Sequence, residues 1–149
     1  MSARPAVAMT PDEVHEMLAS SRKMQLATIN HDGTPHLVAM YYALLEGRIA
    51  FWTYPKSQKA RNLARDPRLT CLVEEGVEYF DLRGVQVNGT VRSVTDPDGL
   101  HVIGRLVAGR LPGIPADAVE EYVAHGARKR WAYVVEPRTV VSWDHRRLR

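Results

Sequence analysis

The residues best suited to chemistry lie in the run Phe51-Trp52-Thr53-Tyr54-Pro55-Lys56-Ser57-Gln58-Lys59-Ala60-Arg61-Asn62-Leu63. Ile49 to Tyr54 reads as a strand, and Ser57 to Asp66 as a short helix stopped by Pro67. A strand ending one tight connection before a helix places Trp52 and Thr53 beside the free N–H groups and positive dipole end of that helix. Ser57 adds a hydroxyl, Lys56 and Lys59 mobile positive charge, and Arg61 a planar fork of donors. Together these groups suit a phosphate. An amphipathic surface helix with merely solvated charges would carry the same residues, and the spacing leaves both readings open.

Other chemistries lack their residues. No GxGxxG follows a strand, since Gly84 and Gly89 have the wrong spacing and lie inside one, and no phosphate-loop GxxxxGK[ST] or GxSxG elbow is present. The six histidines are scattered without metal-ligand spacing, so no metal site is expected. Cys71, the single cysteine, sits in an apolar strand and reads as a buried, inert thiol. An enzyme without catalytic side chains relies on a cofactor for the reaction itself.

The elements that must position the anion site follow from periodicity. Thr10-Pro11-Asp12-Glu13 has the capping-box pattern, and Val14, Met17 and Leu18 continue as one apolar helical stripe. Met24 to Ile29, Leu37 to Leu45 and Ile49 to Tyr54 read as three strands of an antiparallel meander, joined by turns at His31-Asp32-Gly33 and Glu46-Gly47-Arg48. Leu37 to Leu45 is apolar on both faces and is expected to be central and buried, or at a subunit interface. Leu69 to Val73 and Asp81 to Val94 are further strands, the second with clear period two. Helices are expected from Asp96-Pro97 to about Leu111 and from about Ala116 to His125, followed by two strands, Arg130 to Val135 and Thr139 to Trp143. The expected fold class is mainly β, with about seven strands in a closed or partly closed barrel and a few helices.

A chain of 149 residues, 45% hydrophobic and 25% charged, is expected to form one domain over residues 1–149. The longest apolar run is far short of a membrane span, and Met1 to Met9 lacks a secretory core, so a reducing cytoplasm is the expected compartment. The net charge of +3 is concentrated in two basic clusters, Lys56 to Arg68 and Arg128 to Arg149, with Glu74, Glu75, Glu78 and Asp81 between them. That distribution suits a local anionic ligand rather than nucleic acid.

Four pieces, in order, resemble a known family: Lys56 to Leu63 with Arg65-Asp66-Pro67-Arg68; Leu26 to Ile29 with Asp32-Gly33-Thr34-Pro35-His36; Leu82-Arg83-Gly84-Val85 with Gly89; and Val141 to Leu148. The chain resembles the pyridoxamine 5'-phosphate oxidase-like, FMN-binding split-barrel superfamily, in particular the deazaflavin oxidoreductase B-like branch that uses coenzyme F420. The resemblance implies a homodimer with a cofactor in each of two interface clefts. It implies that Ser57, Gln58 and Lys59 bind phosphate, with Lys56, Arg61 and Asn62 close by. Trp52 and Thr53 would lie beside the cofactor, Val38, Ala39 and Met40 would line its ring, and Gly84 and Trp143 would flank it.

True pyridoxamine phosphate oxidases usually have Ser-Arg-Lys where this chain has Ser57-Gln58-Lys59, and the tail from Trp143 to Arg149 does not reproduce their substrate motif, which disfavours vitamin B6 oxidation. The activity implied is hydride transfer from reduced F420 to an activated small molecule. Arg61 or the C-terminal arginines would meet the polyglutamate tail, and Tyr42, Tyr54, Tyr79 or solvent would supply the proton. The alternatives are an FMN-dependent reductase or oxidase and a non-catalytic flavin, deazaflavin or haem carrier.

Overall fold

The capping box at Thr10 forms as its residues require. The Glu13 N–H donates to Thr10 Oγ1 at 3.2 Å, and the Thr10 N–H donates to Glu13 Oε2 at 2.9 Å. The computed structural model describes residues 4–149; Met1 to Ala3, at the head of the segment read as lacking a secretory core, lie outside the described residues. Helices α1 (Arg4–Val7) and α2 (Pro11–Ser20) precede strands β1 (Lys23–Ile29), β2 (Pro35–Tyr41), β3 (Ala43–Leu45) and β4 (Arg48–Thr53). Then follow α3 (Gln58–Arg65), β5 (Arg68–Glu75), β6 (Arg83–Val94), α4 (Pro97–Ala108), α5 (Val119–Ala127) and β7 (Trp131–Asp144).

All strand pairs are antiparallel, in the order β2-β1-β5-β6-β7-β4-β3. The two edge strands, β2 and β3, are joined in the chain by Tyr42 alone. The sheet therefore has to curl until its opposite edges approach one another at that residue. The result is a mostly β, curled half-barrel with helices packed on it.

This topology corrects two sequence expectations. Leu37 to Leu45 is two strands on opposite edges, so neither the three-stranded meander nor a central buried strand forms. Tyr42 makes the break. Its ring is fully buried, its N–H donates to Arg22 O, and its hydroxyl donates to Leu18 O. Along β2, half-buried His36, Val38 and Met40 alternate with exposed Leu37, Ala39 and Tyr41, the pattern of an edge with one face on the core. The last two expected strands are one, β7, because the irregularity opposite Asn88 and Gly89 absorbs one extra residue, Arg138, without ending the pairing.

Two apolar layers hold the sheet. Inside the curl, Leu26, Phe51, Cys71, Val85, Tyr133 and the α2 residues Met17 and Leu18 form one core, and the Phe51 and Tyr133 rings stack with centroids 5.2 Å apart. Outside it, α4 and α5 cover Ala50, Trp52, Ala132 and Val134. Strand β4 is buried on both faces, sending Phe51 and Thr53 inward and Trp52 to the helices. The turn before it places Glu46 at φ 52° and Gly47 at φ 81°, the left-handed pair that suits a two-residue hairpin. No helix among the described residues is long and apolar enough to cross a membrane.

Candidate anion and cofactor site

Helix α3 starts where a phosphate site needs it to. Ser57 is the N-cap, its Oγ accepting from the Ala60 N–H at 3.3 Å, while its own N–H donates to Tyr54 O at 3.0 Å. The N–H groups of Gln58 and Lys59 have no acceptor among the described residues. Thr53 Oγ1 lies 3.4 Å from Ser57 Oγ, so the end of β4 and the start of α3 present two hydroxyls and two free amides together.

Lys59 completes the set. It is half-buried, it makes no hydrogen bond or ion pair among the described residues, and burial holds its pKa below the ordinary lysine value. A partly desolvated ammonium without a countercharge, carried on the same first turn as two unpaired N–H groups, is the chemistry that an anion receptor requires. Lys56 and Arg61 are exposed around it.

Gln58 and Asn62 have a different task. Asn62 is fully buried; its Nδ2 donates to Thr28 Oγ1 at 3.0 Å and to Asn30 Oδ1 at 2.9 Å, and its Oδ1 accepts from Gln58 Nε2 at 2.9 Å and Arg65 at 3.2 Å. Arg65 also donates to Ile29 O. These bonds fasten α3 to the end of β1 and set the direction in which the helix points.

The other sequence-derived residues fall into separate places. Val38 and Met40 lean on the inner core, and Ala39 faces outward, lining a surface cavity of about 400 Å³ with Arg22, Gln25, Leu72 and Glu74. The outer edge of β2 has no strand partner, which leaves alternate backbone N–H and C=O groups open. Gly84 pairs with Trp143 across β6 and β7, and the indole occupies the space where a Gly84 side chain would stand. Trp52 points away from Thr53, its ring packed against Gly104 and Gly126 beneath the Arg130 guanidinium. Its indole thus belongs to the helical layer, not to the start of α3.

Two residues that the sequence reading did not assign to the site do lie at this end. Trp131 is 42% exposed and pairs with Thr53, which places both side chains on one face. Arg130 donates to the Tyr54 hydroxyl at 3.0 Å. Neither carries a local sequence signal, because only the pairing of β4 with β7 brings them here.

Of the candidate proton donors, Tyr42 is committed to Leu18 O, and burial pushes its pKa up to about 12, so it is excluded. Tyr79 is held at the other end of β6 against His145, with ring centroids 4.7 Å apart. Tyr54 is half exposed and next to Ser57; its oxygen accepts from Arg130, and its hydrogen is free to be donated. The C-terminal arginines are not free for a tail, since Arg146 pairs with Asp144, Arg147 with Glu13 and Arg149 with Asp81. Burial also pushes the Cys71 thiol up to about 12, which makes it unreactive. The described residues contain no group of three side chains able to hold a metal ion.

Residues 10–144 match the sequence model of the family described as pyridoxamine 5'-phosphate oxidase. Among solved structures, a conserved hypothetical protein from Mycobacterium tuberculosis, Rv2991, is 41% identical, with a TM-score of 0.92 over 99% of this chain and 92% of that one. A structure described as an F420 reductase is 28% identical, with a TM-score of 0.62 over 85% of this chain and 94% of its own. A haem-binding protein from Mycobacterium smegmatis, 18% identical with a TM-score of 0.67 over 93% of this chain and 60% of that one, shares the fold. No curated protein sequence matches this chain.

Proposed function

Because this chain belongs to the pyridoxamine 5'-phosphate oxidase family, we propose that it is an oxidoreductase in which bound coenzyme F420 supplies a hydride to an activated small-molecule acceptor. What supports this reading is Lys59, half-buried and without a countercharge on the first turn of α3, where the Gln58 and Lys59 amides are free. A phosphate there would accept from the Gln58 and Lys59 N–H groups, from Ser57 Oγ and from Lys59 Nζ. Thr53 orients the Ser57 hydroxyl, and the Gln58–Asn62–Arg65 network keeps the helix from moving.

The open edge of β2 offers backbone donors and acceptors to the polar rim of a flat heterocycle, with Val38 and Met40 as apolar contacts. Tyr54 is the tyrosine placed to release a proton near the site. Gln58 stands where an arginine would strengthen the grip on FMN, and its amide is committed to Asn62, which favours the deazaflavin over FMN.

A homodimer fits the same reading. The outward face of β1, β5, β6 and β7 carries Gln25, Ala27, Thr70, Leu72, Gln86, Asn88, Thr139 and Val141 and no charge in its centre. Thr70, Gln86 and Thr139 are tied together through Asn88, so this polar ladder is already ordered. An ordered, uncharged face flanked by exposed Leu37 and Tyr41 suits a second copy, which would close the cofactor cleft against water.

The test is a fluorescence titration of wild type and Lys59→Ala with F420 and with FMN, followed by loss of reduced-F420 absorbance on an acceptor panel. Preference for F420, weakened by about 1–3 kcal/mol in the variant, with turnover on at least one acceptor, is the expected result. Preference for FMN would assign the protein to flavin chemistry. Tight binding without turnover would make it a carrier.

A further inference from the structure

The structure assigns a second anion-receiving point to Arg130, for a carboxylate or phosphate group that the bound ligand carries beyond its first phosphate. The inference rests on the cofactor reading, in that the first phosphate is placed at Ser57 and Lys59. The guanidinium lies 4.5 Å from the Tyr54 ring centroid and 5.1 Å from that of Trp52. It donates to the Tyr54 hydroxyl at 3.0 Å and to Gly126 O at 3.4 Å. No carboxylate among the described residues pairs with it, whereas Arg68, Arg83, Arg105, Arg146, Arg147 and Arg149 each have one. A guanidinium has five N–H groups. Two are committed here, and the remaining three have no acceptor among the described residues.

Such an arginine is a preorganised receptor. Two rings and two acceptors already hold the side chain, so an incoming oxyanion does not have to order it. Arg128 and Lys129, both exposed, add charge of the same sign.

Tyr54 links the two points. Its carbonyl accepts from the Ser57 N–H at the first, and its hydroxyl accepts from Arg130 at the second. The ligand class that matches is a phosphate with a flexible anionic extension, and Arg130, rather than Arg61 or the C-terminal arginines, receives that extension.

The test is NMR of the full chain, following the amide signals of Gln58 and Lys59 and the Nε–H signal of Arg130. Inorganic phosphate, a triglutamate peptide, and F420 with and without its glutamate tail are the probes. Triglutamate should move the Arg130 signal, and Arg130→Gln should weaken its binding about tenfold or more while the phosphate response at Gln58 and Lys59 persists. Arg130→Lys, which keeps the charge but loses the fork, should not restore binding. Tyr54→Phe, which keeps the ring stack and removes one anchor, should give an intermediate loss in a folded protein. Tailed F420 should move both sets of signals, and trimmed F420 the first set alone.

The inference is overturned if triglutamate leaves Arg130 unmoved, if Arg130→Gln binds it as tightly as wild type, or if trimmed F420 moves Arg130 as much as the tailed form. Absence of any phosphate response at Gln58 and Lys59, with the triglutamate response at Arg130 intact, would overturn the cofactor reading and leave the Arg130 receptor standing.

Discussion

Asn62 donates to the hydroxyl of Thr28 at 3.0 Å from a fully buried position, tying the helix that Ser57 caps to the first strand of the sheet. All four hydrogen-bonding capacities of its amide are used. Asn62→Ala would leave Thr28 Oγ1, Asn30 Oδ1 and the Gln58 amide short of partners at once. The expected loss is about 2–3 kcal/mol in urea unfolding with an unchanged m-value. A loss within about 0.5 kcal/mol would show that α3 is held by other contacts.

Gly84 and Trp143 should behave as one unit. A methyl group at Gly84 would enter the indole, so Gly84→Ala is expected to destabilise by about 1–3 kcal/mol. Truncating Trp143 to Leu in the same chain should recover part of that loss. Additive effects in the double-mutant cycle would contradict the packing.

The three tryptophans should report different things. Trp131→Phe is expected to remove most of the quenching caused by ligand, because Trp131 is exposed on the face of Thr53. Trp52→Phe should keep the quenching but lower stability by about 1–3 kcal/mol, since its ring fills the space against Gly104 and Gly126. The reverse pattern would put the ligand among α4, α5 and Trp52.

Lys59 sets a pH dependence for anion binding. Burial lowers its pKa in the free protein, and a bound phosphate would favour the charged form and raise it. Affinity should therefore be highest where Lys59 is fully charged and decline as pH rises through the lowered pKa, earlier than for an exposed lysine. Titrations between about pH 6 and 10 would show the decline, and Lys59→Arg should remove it. A flat wild-type profile would take Lys59 out of the site.

Asp144 sets an acid limit on stability. Hydrogen bonds from the Arg146 guanidinium hold its carboxyl at about 2, below the ordinary 3.8. A carboxyl depressed in the folded state contributes stability above its unfolded value and loses that contribution as pH falls toward the folded one. Asp144→Asn should be less stable than wild type at neutral pH, with the gap closing as pH falls from about 4 to about 2. A gap that persists through that window would rule out the ion pair as its source.

Local signals accounted for the parts of the fold that local chemistry controls. Thr10 and Glu13 form their reciprocal cap, Ser57 and Asp96 cap the helices expected after them, and β6 keeps the alternation of its valines. The local geometry of the candidate anion site was legible for the same reason, since Thr53, Ser57 and Lys59 lie within one strand–turn–helix passage.

The topology was not legible. Leu37 to Leu45 reads as one apolar strand because nothing in its composition marks Tyr42 as the residue that turns inward, and what draws it there is the Leu18 carbonyl on another element. A doubly apolar run describes a central strand and an edge strand with an exposed apolar face equally well.

Short-range interactions therefore account for most of the helices and strands, for the helix caps, and for the candidate anion-binding group at Ser57 and Lys59. The packing of distant segments placed Trp131 on the face of Thr53, set the carboxylate-free Arg130 against Tyr54, and made β2 and β3 the edges. The physical reason is that these depend on strand register and ion pairing between distant segments. Thr53 meets Trp131, and Arg147 meets Glu13, only once the sheet has curled and the helices have packed on it.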